Sequence, residues 1–228
     1  MADSQAHAEH HPHLQHHFED LGQQHEASTL GMWFFISQEI LFFGGLLTAY
    51  VVYRLRFFDA FIAASEFQSL WLGGTNTVVL IFSSLTMALA VRAAQTGHRK
   101  KIINYMIATL VLGLAFLGIK GVEYYDHYEH HLVPGDHYEF HSERTHVTEE
   151  LESQTEMFFV LYFALTGLHA LHMVIGAGLV LWIIWRAWKR HFSPEYYGPV
   201  EVVGLYWHFV DIVWIFLFPL LYLIGRHQ

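Results

Sequence analysis

Five long apolar stretches constrain the fold of this 228-residue chain more than any other feature. A helix needs about 20 apolar residues to cross the hydrocarbon layer of a membrane. The stretches are continuous, whereas a membrane β-strand alternates apolar and polar residues over about 10 positions. We therefore predict an all-α, polytopic membrane helix bundle with five transmembrane helices, near 29–53, 71–91, 102–124, 157–185 and 202–224.

The composition agrees with a membrane protein and excludes several kinds of chemistry. Hydrophobic residues make up 54% of the chain and charged residues 14%, a balance that is too apolar for an ordinary soluble domain. The absence of cysteine excludes disulfides, thiolate metal sites, iron–sulfur clusters and cysteine nucleophiles. A formal charge of −9 argues against a nucleic-acid partner.

The distribution of Lys and Arg predicts the orientation in the membrane. One side receives Arg92, Arg99, Lys100, Lys101, Arg186, Lys189 and Arg190, and the other receives Arg54, Arg56, Arg144 and Arg226. Because cytoplasmic loops carry the excess of positive charge, we predict a cytoplasmic N-terminus and an external C-terminus.

Two polar, histidine-rich segments lie outside the predicted helices. We divide the chain into a flexible polar tail over 1–28 and a transmembrane domain over 29–228, which includes a polar outer loop over 126–154. The pattern His-x-x-His-His begins at His7, His13 and His127, and membrane di-iron hydroxylases use clusters of this form. The predicted topology places the third cluster on the opposite side of the membrane from the first two, so we interpret the segments as solvated and weakly metal-binding.

Ionisable residues inside the predicted helices are the main functional signal. An ionisable side chain at the centre of a membrane helix costs about 2.5–3.5 kcal/mol, so such groups need partners. Glu39 lies about 15 Å along the first helix, near the middle of the hydrocarbon layer. Residues three apart share a helical face, which predicts a buried polar network. Its candidate members are Lys120, Glu123, His169, His172, His208 and Asp211.

A metal site is the alternative interpretation of the intramembrane histidines. Two helical histidines and a carboxylate suit a transition metal. Asp211 could hydrogen-bond to a metal-bound imidazole and so orient its ring. Nothing in the sequence brings His169, His172 and His208 together, however. We therefore predict hydrogen-bonded contacts and no metal site.

Four strings in this chain resemble subunit III of the haem-copper oxidases, the cytochrome c oxidase family. They are Phe-Ile-Ser-Gln-Glu-Ile-Leu-Phe-Phe at 35–43, Glu-Tyr-Tyr at 123–125, Thr-Gly-Leu-His-Ala-Leu-His-Met-Val-Ile-Gly at 166–176, and the segment 201–214 with Tyr-Trp-His-Phe-Val-Asp. They occur in the family's order. The chain is similar to the short, five-helix bacterial form, which lacks the first two of the family's seven helices.

The resemblance implies an accessory role in an aerobic terminal oxidase of the bacterial inner membrane. Family members bind oxidase subunits I and II and phospholipids, support proton uptake and turnover stability, and join respiratory supercomplexes. Haem and copper belong to the partner subunits, so the complex is the enzyme and this chain has no catalytic centre or cofactor except phospholipid. By position, Glu39 matches the family's carbodiimide-reactive carboxylate, and Glu201, Trp207 and His208 match lipid-associated positions.

Two other functions remain open from the sequence. An accessory subunit of a nitric oxide reductase shares the family's helical pattern, and a His-dependent membrane metalloenzyme would use the histidines directly. The electron donor, cytochrome c or quinol, is bound by other subunits, and so are the haem and the proton-pumping machinery.

Overall fold

A computed structural model describes residues 13–135, 137–140 and 148–223 of the chain. Over these residues the fold is all-helical, as predicted. The helices are α1 (Leu21–Arg56), α2 (Phe58–Ser65), α3 (Leu70–Gln95), α4 (Arg99–Glu129), α5 (Glu149–Trp188) and α6 (Gly198–Tyr222). All except α2 are long and apolar enough to cross a membrane, so the prediction of five membrane spans is confirmed by length and composition.

The long helices extend beyond the apolar stretches that predict them. Helix α1 begins at Leu21 and not near residue 29, and α5 begins at Glu149 and not near residue 157. The Asp20 and Thr148 side chains cap these helices by accepting hydrogen bonds from first-turn backbone N–H groups. Hydropathy marks only the part of a helix that lies in hydrocarbon, whereas the 36 residues of α1 span about 54 Å. The polar ends therefore project beyond the hydrocarbon layer.

Helix α2 is the element that the hydropathy pattern does not predict. Its eight residues are too few to cross a membrane, and they bury one face that includes Ala60, Phe61 and Ala64. Phe61 packs edge-to-face on Phe158 of α5, with ring centroids 5.4 Å apart. This short helix therefore covers the N-terminal part of α5 around Phe158.

The described part of the outer loop packs on the bundle. Helix α4 continues to Glu129, and His131 ends it in a left-handed conformation with φ of 54°. Phe140 is buried against Phe67, and the Tyr138 hydroxyl donates to Thr155 Oγ1 at 2.9 Å. Burial raises the pKa of Tyr138 above its ordinary value. His7, His10, His11, His141 and His146 lie outside the described residues.

Residues 13–28 and the two turns α3–α4 and α5–α6 meet at one end of the bundle, here called the N-terminal end. His13 stacks on Tyr196 with ring centroids 4.6 Å apart. His25 Nε2 lies 3.3 Å from a carboxylate oxygen of Glu201. Arg99 Nε donates to the Ala187 carbonyl at the end of α5. Residues 13–28 are thus docked on the bundle, and those from Leu21 onward are helical.

Four helices meet at Trp207, whose side chain is fully buried. Its Nε1 donates to Ser83 Oγ of α3 at 3.0 Å. A Cβ on Gly113 of α4 would lie 2.7 Å from the indole ring, and one on Gly176 of α5 would lie 3.1 Å from it. Both glycines therefore allow the indole to approach the neighbouring backbones closely, as small residues do in membrane helix contacts.

We expect Gly113→Ala to destabilise the bundle by about 1–3 kcal/mol, because the added methyl group overpacks the contact with Trp207. Gly118→Ala is the matched control on the same helix, since its Cβ would meet nothing within 4 Å. The midpoints of thermal unfolding in detergent measure both effects. Equal midpoints would show that Gly113 does not limit the approach of the indole.

Candidate functional site

Lys120, Glu123, Tyr162 and Tyr222 form a buried cluster between α4, α5 and α6, here called the Lys120–Glu123 cluster. Nζ of Lys120 donates to Glu123 Oε2, to the Tyr162 hydroxyl and to the Tyr222 hydroxyl, each at 2.9 Å. Glu123 Oε1 accepts from Tyr222 at 2.6 Å and from Tyr162 at 3.1 Å. An ammonium group has three donors, so all of them are used. The predicted pairing of Lys120 with Glu123 is present in the structure.

Aromatic rings enclose the ammonium group of this cluster. Nζ lies 5.0 Å from the Tyr162 ring centroid, 5.3 Å from those of Tyr124 and Trp214, and 5.6 Å from that of Tyr222. Distances below about 6 Å allow cation–π attraction, which is strongest where water is excluded. The rings thus stabilise a charge that hydrocarbon alone would not.

His127 continues the cluster toward the loop that precedes α3. Its Nδ1 lies 2.6 Å from the Glu123 carbonyl oxygen, which can only accept, so Nδ1 carries the proton. Its Nε2 is then the acceptor for Gln68 Nε2 at 3.1 Å. The ring stacks on Tyr162 with centroids 5.3 Å apart. His127 is therefore a buried residue of α4 and not a residue of the solvated outer loop.

Glu39 and His172 form a second buried site, here called the Glu39–His172 pair. His172 Nδ1 donates to the Leu168 carbonyl at 2.9 Å. Its Nε2 lies 3.3 Å from Glu39 Oε2. The contact does not have hydrogen-bond geometry, since Glu39 Oε2 has no hydrogen-bond partner within the described residues. Glu39 and His172 are therefore an acid and a base in close contact inside the bundle.

Apolar side chains surround the pair. The Phe43 ring centroid lies 5.4 Å from that of His172, and the Tyr206 hydroxyl donates to the His172 carbonyl at 3.0 Å. On the other side of α1, Leu41 is 78% exposed. Glu39 thus lies on the buried face of α1, and the opposite face is left for hydrocarbon or another membrane subunit.

His208 and Asp211 line a groove between α3 and α6. Ser84 Oγ lies 2.7 Å from His208 Nδ1. Ser84 is also close enough to hydrogen-bond to Asp211, and at least one carboxyl oxygen of Asp211 has no partner among the described residues. The spacing of His208 and Asp211 places both on the groove, but they are not hydrogen-bonded to each other.

The three intramembrane histidines do not converge. The His169 ring lies 5.4 Å from that of Phe116 and 5.3 Å from that of Trp214, with neither nitrogen hydrogen-bonded within the described part of the chain. His172 contacts Glu39, and His208 faces the groove. Within 13–135, 137–140 and 148–223, no group of three or more metal-ligating side chains is present.

The two remaining predicted residues occupy different environments. Glu201 lies at the N-terminal end and contacts His25. Trp207, which the resemblance associates with lipid, has 0% exposure and packs against Gly113 and Gly176. In this structure Trp207 therefore contacts the neighbouring helices of the bundle.

A family model described as "Cytochrome c oxidase subunit III" matches residues 21–130 and 147–226, which include every helix and every site residue described above. The chain belongs to the cytochrome c oxidase subunit III family. Membership agrees with the resemblance carried by the four sequence strings.

Relatives of this subunit III family member carry oxidase names. "Quinol oxidase subunit 3" of Bacillus subtilis is 28% identical over 218 residues, covering 93% of this chain and 97% of that protein. "Cytochrome c oxidase subunit 3" of Alkalihalophilus pseudofirmus is 32% identical over 196 residues, covering 86% of each. The protein of the same name from Gadus morhua is 30% identical over 209 residues, covering 84% of this chain but only 67% of the fish protein. The chain thus matches the bacterial relatives over nearly their full length.

Sequence reasoning missed several residues of this subunit's polar clusters. Tyr162, Tyr222 and Gln68 come from other helices or loops, and an intramembrane tyrosine carries no signal by itself. His127 had a signal, because Lys120, Glu123 and His127 repeat at i, i+3 and i+7 on one helical face.

We expect Lys120→Met to destabilise the subunit by about 3–5 kcal/mol, because it leaves Glu123 charged, buried and unpaired. The double variant Lys120→Met/Glu123→Gln removes both charges and should recover most of this loss. Unfolding midpoints of the purified complex measure the difference. If the single and double variants unfold at the same midpoint, the ion pair is not what stabilises this region.

Proposed function

We propose that this chain is a non-catalytic accessory subunit of an aerobic terminal haem-copper oxidase. In this role it binds subunit I, assembles with subunit II and phospholipids, and supports proton uptake and turnover stability. Family membership and the oxidase names of its relatives support the assignment to an oxidase. They favour it over a nitric oxide reductase, since none of the relatives described above carries that name.

The Glu39–His172 pair is the observation that carries the proton-uptake role. The Leu168 carbonyl holds His172 through Nδ1, which leaves Nε2 3.3 Å from Glu39 Oε2. A side-chain rotation, without rearrangement of the helices, would bring these two atoms into the geometry that proton transfer needs. A buried acid–base pair of this kind suits a position beside a proton-conducting subunit.

We also propose that the N-terminal end faces the cytoplasm of a bacterial inner membrane. Four basic residues lie at or near this end: Arg99 and Lys100 at the start of α4, Arg186 in the last turn of α5, and Lys189 directly after it. The cytoplasmic leaflet attracts such clusters through its anionic lipids. Lys189 Nζ lies 3.9 Å from the Trp185 ring centroid, an arrangement typical of the interfacial zone.

Glu39→Gln tests the function, because it keeps the side-chain volume while removing the titratable group. We expect the purified oxidase to start at a near-normal rate and then to inactivate severalfold faster during continuous turnover, because the proton position at Oε2 is lost. Oxygen consumption followed until activity decays measures both quantities. Asp59→Asn, at an exposed position in the first turn of α2, is the matched control.

A second variant separates the pair from the glutamate alone. His172→Gln removes Nε2 and should shorten the active lifetime as Glu39→Gln does, with haem content and subunit composition unchanged. Wild-type lifetimes in both variants, with normal assembly, would reduce the pair to a packing contact.

A further inference from the structure

The groove between α3 and α6 is a polar feature that the proposed proton-uptake role does not use, although its His208 is one of the residues that the resemblance associates with lipid. It encloses about 440 Å³, and its walls include Ile81 and Leu85 of α3 and Ile212 of α6. Its volume lies within the range of about 300–1,000 Å³ that is typical of small-molecule sites. Four polar side chains lie in this otherwise largely apolar lining, namely Thr77, Ser84, His208 and Asp211.

Depth in the membrane restricts what the groove can hold. Asp211 is near the middle of α6, about 20 Å from its start at Gly198. The hydrocarbon layer is about 30 Å thick, so a lipid headgroup lies about 15 Å away. A water-soluble ligand has no route to this depth. The occupant is therefore dissolved in the hydrocarbon and carries a polar group on an apolar body.

The polar atoms define the chemistry of that group. Asp211 is 4% exposed and lines the groove. One helical turn away, His208 Nδ1 lies 2.7 Å from Ser84 Oγ. Ser84 has a single proton, which it can donate to His208 Nδ1 or to Asp211 but not to both. At least one carboxyl oxygen of Asp211 therefore has no partner within the described residues and is free to accept a hydrogen bond from a hydroxyl.

We propose that the groove binds a membrane-dissolved hydroquinone, with a ring hydroxyl donating to Asp211 and the ring packed between the apolar walls. Asp211 is recessed in the groove. This position favours a flat ring as the occupant, because the backbone of a neighbouring helix is too wide to enter. The proposal concerns binding alone and includes no electron transfer. It does not depend on Glu39, so the two can fail separately.

A second groove on the same helix provides an internal control. It encloses about 490 Å³ at the start of α3 and is lined by Leu70, Trp71, Gly74, Thr75, Val78 and Phe218. It has a similar volume but no titratable side chain. A probe that merely partitions into the membrane would occupy both grooves alike.

Photolabelling of the purified oxidase complex in lipid nanodiscs tests the proposal. The probe is a hydroquinone with a diazirine on a decyl tail, kept reduced, and the labelled peptides are mapped. We expect label on 80–88 and 208–215, with at most a background signal on 70–78. The oxidised quinone form of the probe should label the α3–α6 groove less, because it has no hydroxyl to donate.

Two variants remove the site in different ways. Asp211→Leu should lower labelling of the groove roughly tenfold, as expected for loss of a hydrogen bond to a carboxyl group. Leu85→Trp, on the lipid-facing side, should block the groove sterically while leaving Asp211 in place. Thr75→Val in the second groove is the matched control and should change nothing. Haem content and subunit stoichiometry verify that each complex has assembled.

Several outcomes would overturn the proposal. These are equal labelling of both grooves, equal labelling by the reduced and oxidised probes, or unchanged labelling in Asp211→Leu and Leu85→Trp complexes that have assembled. Cross-linking of position 212 to a helix of another subunit would also overturn it, because a protein would then occupy the groove. A wild-type lifetime of the Glu39→Gln oxidase would not affect the proposal for this groove.

Discussion

The ion pair between Lys120 and Glu123 is the interaction on which the arrangement of α4, α5 and α6 depends. A charge in hydrocarbon is tolerated only with partners, and every donor of this ammonium group is used by Glu123, Tyr162 and Tyr222. Sliding α5 or α6 by one turn, about 5.4 Å, would remove a tyrosine from reach. We infer that the pair fixes the register of three helices, in addition to whatever stability it contributes.

The three polar sites differ in how completely their hydrogen bonds are satisfied. The Lys120–Glu123 cluster is closed, and its aromatic surroundings exclude further ligands. The Glu39–His172 pair has one close contact without hydrogen-bond geometry. At least one carboxyl oxygen of Asp211 has no partner within the described residues, and neither ring nitrogen of the buried His169 is hydrogen-bonded there. Since an unsatisfied buried group is costly, such groups persist where something outside the chain completes them. The incomplete sites are therefore the candidates for function, and the complete cluster serves the fold.

Hydropathy was sufficient to predict the membrane-crossing helices, because continuous apolar length decides that question. It could not predict where α1 and α5 begin, because their first turns are polar and are stabilised by the caps Asp20 and Thr148. The i, i+3 spacing correctly paired Lys120 with Glu123 but misled for the histidines. Three residues turn a helix by about 300°, and that offset is enough to direct His172 to α1 and His169 to α4 and α6. Which neighbour a face meets is a tertiary property, so a single sequence does not contain it directly.

The position of α1 connects the Glu39–His172 pair to assembly. Helix α1 packs on α2, α5 and α6 and leaves a wide apolar face uncovered. Glu39 lies at the seam between this helix and α5, so a subunit that covers α1 would replace hydrocarbon near the pair by protein groups that can hydrogen-bond. A partner that favours one arrangement of the pair would, by linkage, bind more tightly to that arrangement by the same factor.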